Sequence, residues 1–493
     1  MSSRMHAFAV LVTTALVSGN LSPRAAGQTA SAPSSAPSWQ RVYYDAADEN
    51  GRLSGGTAQL LVGARQALQT IPASVATLLE RATSGTNRIA LVVVGDGYTA
   101  DQLGLYAAHA NASLSSLFAQ EPFHTYASFF DVYRIDVISN ESGVDNDPVP
   151  GIFRDTALDM GFWCEGIERL LCVDVSKAYA YANNAPSVDV VLAVANSTMY
   201  GGAGYPESEL ATVAGGNSSA AEVVLHELGH GLGNLADEYD YGDGTVYSGP
   251  EPIEPNISKL TAPEMTTAGT KWATWLGVNN AAFDGLVSTY EGAAYCQFGI
   301  YRPTAHSKMR VLGRPFNLPS AEALVVRMYQ RVRPIDDATP LLPALTGTEI
   351  VFVTPVVPVG HTLDVQWYLD SGVIADANAP TLDLTALPLA PGTHALSVVV
   401  IDNTELVRDA VARATWLTDS RAWTIQVDTQ PGDLNCDGRI NFGDINPFVL
   451  ALTGYTSYNA AYPDCYWRNA DCNGDGVIDF ADINPFVSLL AGV

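Results

Sequence analysis

The chain is 493 residues long, with hydrophobic residues at 47% and charged residues at only 16%. That length accommodates several domains, each able to bury a core, and that balance excludes a disordered chain. A formal net charge of -27 argues against binding a nucleic-acid backbone or an anionic membrane surface.

Residues 1–27 read as a secretory signal. Arg4 supplies the positive start, residues 7–17 an apolar run, and Ala25, Ala26 and Gly27 a small-residue cleavage site. The run is too short to span a bilayer comfortably and no later stretch reaches membrane length, so no transmembrane span is expected in the mature chain. A secreted or surface-attached protein is the expectation. Residues 28–38 form a Ser/Ala/Pro-rich linker. Residues 39–87 read as a small accessory segment without visible chemistry, helical in composition over 63–82 but split by Pro72.

From Arg88 the texture changes. Residues 89–94 are continuously apolar and β-branched and end at Gly95-Asp96-Gly97, which predicts a buried strand followed by a tight turn. Asp96 stands where such sheets present functional groups, although aspartates in turns are more often structural. Residues 130–138 and 187–195 predict two further strands, and residues 101–118 and the stretch around 167–181 predict helices. An α/β domain over 88–333 follows. The glycine-rich run 200–205 precedes the next helix and reads as an edge that an extended peptide could pair with.

Residues 221–239, AEVVLHELGHGLGNLADEY, carry the chemistry. His226 and His230 are four apart, which stacks two imidazoles on one helix face, with Glu227 turned toward the same edge. In this H-E-x-x-H arrangement two histidines hold zinc and the glutamate acts as general base on a zinc-bound water. Ser219 and Glu222 read as a capping box, and Gly231 and Gly233 end the helix. The third ligand must come from beyond that bend. Asp237 is the choice for its hard oxygen, with Glu238 the alternative. Tyr239 and Tyr301 are candidates to stabilise charge on the substrate carbonyl.

HELGHGLGNLADEY resembles the zinc signature of the M64 peptidases, the IgA-cleaving type. RIALVVVGDGY at 88–98, NSTMYGGAGY at 196–205 and EGAAYCQFGIYRPTAHSKM at 291–309 are similar to the same family in the same order. The resemblance implies a metzincin-like zinc peptidase fold, one catalytic zinc, a protein or peptide substrate, and a methionine turn at Met309. In the metzincin pattern the third ligand would fall on Ala236, which cannot bind metal, so the sequence departs from that pattern there. His306 has no supporting pattern as a ligand. Residues 321–329 read as a helix closing the domain.

Residues 334–343 are a proline-rich, acidic linker. Alternating runs across 345–428 predict a β-sandwich of immunoglobulin-like type, a spacer or contact module. Residues 431–493 contain a repeat. Asp433, Asn435, Asp437, Arg439, Asn441 and Asp444 recur as Asp471, Asn473, Asp475, Val477, Asp479 and Asp482, each set followed by Ile-Asn-Pro-Phe-Val. The oxygen side chains match an EF-hand calcium loop, with backbone carbonyls serving at Arg439 and Val477. A loop followed by one helix, twice, resembles a dockerin module, which implies two calcium ions and a cohesin-like or cell-surface scaffold as partner.

Among the six cysteines, Cys164 with Cys172 and Cys436 with Cys465 are close enough to bridge, while Cys296 and Cys472 are left over. No C-x-x-C pair exists to hold zinc. A multidomain secreted zinc endopeptidase with a docking tail is the expectation. The competing one is an inactive peptidase-like domain delivered for surface binding or adhesion.

Overall fold

Residues 89–96 contain no side chain that requires water except the final aspartate, and all eight are buried. In a computed structural model, which describes residues 37–63, 70–79, 87–387, 389–427, 430–463 and 465–492, this strand lies deep inside an eight-stranded sheet. The signal segment and most of the linker lie outside the described residues.

In chain order the strands of that sheet are β1 (Ser38–Ala47), β2 (Leu53–Val62), β3 (Ser74–Leu79), β4 (Ile89–Asp96), β5 (Phe130–Asp136), β6 (Val190–Ala195), β7 (Gly202–Tyr205) and β8 (Leu210–Ala214). Their spatial order is β2-β1-β7-β8-β6-β4-β5-β3. The pairings β4–β5, β4–β6 and β6–β8 are parallel, and the outer strands on both sides run antiparallel. Buried parallel strands need cover on both faces, which explains their unbroken apolar runs. On one face lie α1 (Leu103–Leu117) and α3 (Ala220–Gly231), and on the other α2 (Val175–Ala182).

Two expectations change here. The segment 39–87 is no accessory: β1, β2 and β3 complete the eight-stranded sheet on both flanks. The helical reading of 63–82 fails over 74–79, where β3 pairs antiparallel with β5. Exposed strand edges draw in such β-branched segments whatever their helical composition. The helix expected around 167–181 is confined to α2, capped by the Asp174 carboxylate accepting from the Lys177 N–H at 3.1 Å.

Beyond α3 the chain makes α4 (Ala262–Ala268), the short pairs β9 (Asn279–Asn280) with β10 (Gly285–Leu286) and β11 (Tyr290–Ala293) with β12 (Cys296–Arg302), and α5 (Leu318–Tyr329). Next come two antiparallel sheets. One contains β13 (Ile335–Ala338), β14 (Ile350–Pro355) and β17 (Thr381–Asp383). The other contains β15 (Asp364–Leu369), β16 (Gly372–Val373), β18 (Gly392–Ile401) and β19 (Thr418–Val427). They enclose one core, in which Trp367 and Trp423 stack at 5.6 Å. β13 falls in the stretch read as a linker and pairs with β14 instead. A helix, α6 (Ala410–Trp416), connects the last two strands.

This sandwich is joined to the first sheet's helices at a buried carboxylate. Asp402 accepts from the Tyr126 hydroxyl at 2.9 Å, the Tyr329 hydroxyl at 2.7 Å and contacts His361 Nε2 at 3.0 Å. The tail holds α7 (Ile445–Leu452), α8 (Tyr455–Ala461) and α9 (Ile483–Ala491), with Phe448 and Phe486 stacked at 4.1 Å between the two repeats. Bridges join Cys164 to Cys172 and Cys436 to Cys465. Cys296 and Cys472 are free thiols. Among the described residues no helix is long and apolar enough to cross a membrane.

Candidate metal centre

Helix α3 carries Val223, Val224, Leu225 and Leu228 into the core, and this burial fixes its rotation about its axis. With that rotation set, His226 and His230 point toward one place, their Nε2 atoms 3.1 Å apart. Each Nδ1 lies against a backbone carbonyl, His226 against Lys308 at 3.0 Å and His230 against Leu235 at 2.7 Å. A carbonyl only accepts, so each Nδ1 carries a hydrogen and each Nε2 is the atom left to meet a cation. Two nitrogens that face one another at this distance need a proton or a metal ion between them.

The chain then reverses through Asn234, at φ 51°, and brings the next acids back. Asp237 Oδ1 lies 3.3 Å from His226 Nε2 and 3.4 Å from His230 Nε2. Glu238 turns the opposite way. It accepts from Asn256 Nδ2 at 2.9 Å, Ser307 Oγ at 2.7 Å and Asn317 Nδ2 at 3.0 Å. Of the two acids, only Asp237 faces the imidazoles.

A fourth group, absent from the sequence reading, completes the cluster. Asp45, from β1, places Oδ2 at 2.6 Å from His226 Nε2. Asp45, His226, His230 and Asp237 each offer one ligand atom within 4.8 Å of the others, and all four are buried. Among the described residues this is the one such group. Among His226, His230 and Asp237 the edges of 3.1, 3.3 and 3.4 Å match the edge of about 3.3 Å of a tetrahedron around zinc, taking zinc–ligand bonds of about 2.0–2.1 Å, whereas the Asp45 contact at 2.6 Å is shorter. Asp45 Oδ2 and Asp237 Oδ1 have no hydrogen-bond donor. Two buried carboxylates beside two imidazoles form a donor set whose charge a divalent cation would balance. The donor set fits zinc.

The surroundings hold the carboxylates in place. Tyr295 donates to Asp237 Oδ2 at 2.5 Å, and Tyr239 donates to Asp45 Oδ1 at 2.6 Å. The Tyr43 ring stacks on His230 at 3.9 Å. Burial opposes the charged form of Asp237, but the neighbouring imidazoles outweigh it and keep its carboxyl below the ordinary carboxylate range. Burial also pushes the Tyr239 and Tyr295 hydroxyls well above the usual tyrosine value, so both remain donors.

Glu227 is fully buried, and neither of its carboxylate oxygens has a hydrogen-bond partner. Burial raises its carboxyl well above the ordinary value, and the nearby Asp45 charge adds to the effect. It lies against β7, whose glycines make room for it. A Cβ at Gly204 would stand 2.9 Å from Glu227 Oε2, and one at Gly202 would stand 3.2 Å from Oε1.

The segment Ser307-Lys308-Met309 lies under α3. Ser307 holds Glu238, the Lys308 carbonyl orients His226, and Met309 O accepts from the Glu238 N–H at 2.8 Å. Met309 Sδ packs where a Cβ at Gly229 would meet it at 2.8 Å, which places the methionine between the two histidines' turns. The expected capping box does not form. Ser219 makes no side-chain cap, because Glu222 is drawn away to the buried Lys308 ammonium and to the Gly313 N–H at 2.8 Å.

Other candidates fall elsewhere. Asp96 is a structural staple, accepting from the Leu158 and Met160 N–H groups at 2.9 and 2.8 Å. His306 is exposed, and Tyr301 sits in β12, paired through its backbone with Ser258. The edge of β7 expected to face substrate is taken by β1, through the pairing Tyr43↔Gly204. Tyr43, Asp45 and Tyr295 escaped sequence reading. The available signal was Tyr43 and Asp45 two apart on a strand, hence on one face.

In the tail the two loops repeat one another bond by bond. Asp444 accepts from the Leu434, Asn435 and Asn441 N–H groups, and Asp482 from those of Cys472, Asn473 and Asp479. Asp433 accepts from the Gly438 N–H and Asp471 from that of Gly476, both at 2.9 Å. Asn435 and Asn473 accept from the Asp437 and Asp475 N–H groups at 2.9 and 2.8 Å. Those aspartates in turn accept from Arg439 and Val477, and Asn441 and Asp479 from Gly443 and Ala481. These acids are not drawn together as tightly as the buried cluster.

Residues 78–283 match the family model described as IgA Peptidase M64. The matched stretch is less than half of the chain and contains His226, Glu227, His230 and Asp237 but not Asp45, Tyr295 or Met309. Comparison with curated proteins returns no significant match.

Proposed function

We propose that the chain is a secreted zinc-dependent endopeptidase, with His226, His230 and Asp237 as zinc ligands and Glu227 as general base. The observation that carries this reading is the pair of facing Nε2 atoms beside the Asp237 Oδ1, which has no donor, with Glu227 next to them and free of hydrogen-bond partners. The match of residues 78–283 to the M64 peptidases supports it.

Zinc bound there supplies a Lewis acid and brings the pKa of water toward neutrality. Glu227 takes the proton from the attacking water and returns it to the leaving amine. Burial and the Asp45 charge raise its affinity for that proton. The Lys308 and Leu235 carbonyls fix the imidazole tautomers, and Tyr295 orients Asp237. Met309 supports the helix turn from below, in the manner of a methionine turn.

The tail is read as a dockerin-like module binding two calcium ions, one in each repeated loop, and tethering the enzyme to a cohesin-like or cell-surface scaffold. Equivalent residues of the two repeats expose apolar side chains, Phe442 with Phe480 and Val449 with Val487, which supports a protein-facing surface. The sandwich over 345–428 is read as an immunoglobulin-like spacer.

Glu227→Gln tests the reading against a non-catalytic adhesion role. The variant should keep its zinc while losing cleavage of a casein-type substrate, and a chelator should abolish wild-type cleavage. A wild type that cleaves nothing but binds a surface ligand tightly would overturn the proposal.

A further inference from the structure

A hydrolytic zinc site needs three protein ligands and one open corner. In this chain a fourth acid, Asp45, lies within ligand reach of the other three groups. Asp45 reaches His226 Nε2 to 2.6 Å, and Tyr239 holds its other oxygen at 2.6 Å. The cluster is correspondingly closed, with Asp45 2%, His226 1%, Glu227 0% and His230 0% exposed.

The strand that carries Asp45 also covers the edge a substrate would need. β1 pairs with β7 at Tyr43↔Gly204, and the Tyr43 ring lies flat on His230. An extended peptide adding to β7 would compete for those same backbone groups. The hairpin β1–β2 is fastened at two places besides its pairing with β7. Arg41 pairs with Glu254 at 2.6 Å, and at the hairpin's turn the Leu312 N–H donates to the Gly51 carbonyl at 2.8 Å. Residues matched by the family model begin at 78, after this hairpin.

We infer that the β1–β2 hairpin is a built-in blocking segment, in which Asp45 fills the fourth metal position and β1 occupies the substrate edge of β7. The described state is then latent, and turnover requires the hairpin to lift. This inference rests on the zinc reading above. It makes Asp45 a metal ligand of the resting state and not of the working one.

The test uses the mature full-length chain loaded with cobalt(II), in wild-type form and as Asp45→Ala and Asp45→Asn. The asparagine variant retains an acceptor for Tyr239 and so guards against loss of fold. Thiocyanate, a small anion that binds an open metal position, is titrated while the visible cobalt absorption is recorded. In the wild type it should leave the spectrum unchanged. In both variants it should bind at least about tenfold more tightly, and cleavage of an unspecific peptide mixture by the zinc forms should rise by a similar factor. Equal thiocyanate binding by wild type and variants, or slower cleavage by the variants, would overturn the latch and leave the zinc reading intact. Failure of the wild type to take up either metal would overturn both.

Discussion

Asp237 and Glu238 are adjacent acids with opposite surroundings, and their removal should produce opposite phenotypes. In Glu238→Gln the carboxylate loses one of two oxygens that accept from Asn256, Ser307 and, through both oxygens, Asn317, at 2.7–3.1 Å. The glutamine amide can satisfy one side of this ring only, with its N–H₂ turned toward a former donor. Hydrogen bonds to a charged acceptor contribute roughly twice as much as neutral ones, a difference of about 1 kcal/mol each. Three such partners give a loss of about 3 kcal/mol in stability for Glu238→Gln, with zinc retained. Asp237→Asn should act on the metal instead: zinc affinity falls at least about a hundredfold, because one of the groups facing the two imidazoles loses its charge. The assay is urea denaturation in the presence of chelator, paired with zinc competition against a chromogenic chelator. If Asp237→Asn keeps full zinc affinity, or Glu238→Gln loses zinc without losing stability, the assignment of roles is wrong.

Met309→Ala should cost about 2–5 kcal/mol in urea denaturation, because its sulfur fills the space against Gly229; a loss under about 1 kcal/mol would mean the side chain is not packed there. The acid limb of kcat/KM should lie above the ordinary carboxylate value of 4.5, because burial and the Asp45 charge raise the Glu227 carboxyl. Activity should therefore rise with pH as Glu227 gives up its proton, and a pH profile whose acid limb falls at or below 4.5 would contradict the assignment. In the tail, Asp433→Ala combined with Asp471→Ala should abolish calcium binding measured by titration calorimetry, while leaving zinc content unchanged. Calcium uptake equal to that of the wild type would refute the loop assignment.

The chemistry of α3 was legible because it is local. Two histidines a helical turn apart and a glutamate beside them need only the helix to be brought together, and the helix announces itself through its apolar residues. Asp237 and Glu238 could be named from the sequence but not told apart, because what separates their surroundings is remote: Asn256, Ser307 and Asn317 claim Glu238 from three other loops. Asp45 was not legible. Its approach depends on β1 joining β7 across more than a hundred residues of sequence, through a single paired position, and no local pattern encodes such a pairing. The same cause defeated the reading of β3, whose composition fitted a helix until the edge of β5 offered it partners. Glu222 shows a milder version, with a local cap forgone for an ammonium group contributed from position 308.

The Asp402 junction has a mechanical consequence. One carboxylate from the sandwich satisfies two tyrosine hydroxyls rooted in the module of the eight-stranded sheet, at 2.9 and 2.7 Å, and all three groups are sealed from water. Separating the two bodies would exchange both bonds for bonds to water, at a net cost of about 1.5–3 kcal/mol for each bond to the charged acceptor. The junction thus fastens the sandwich to the helices that cover the first sheet, and the two resist being parted.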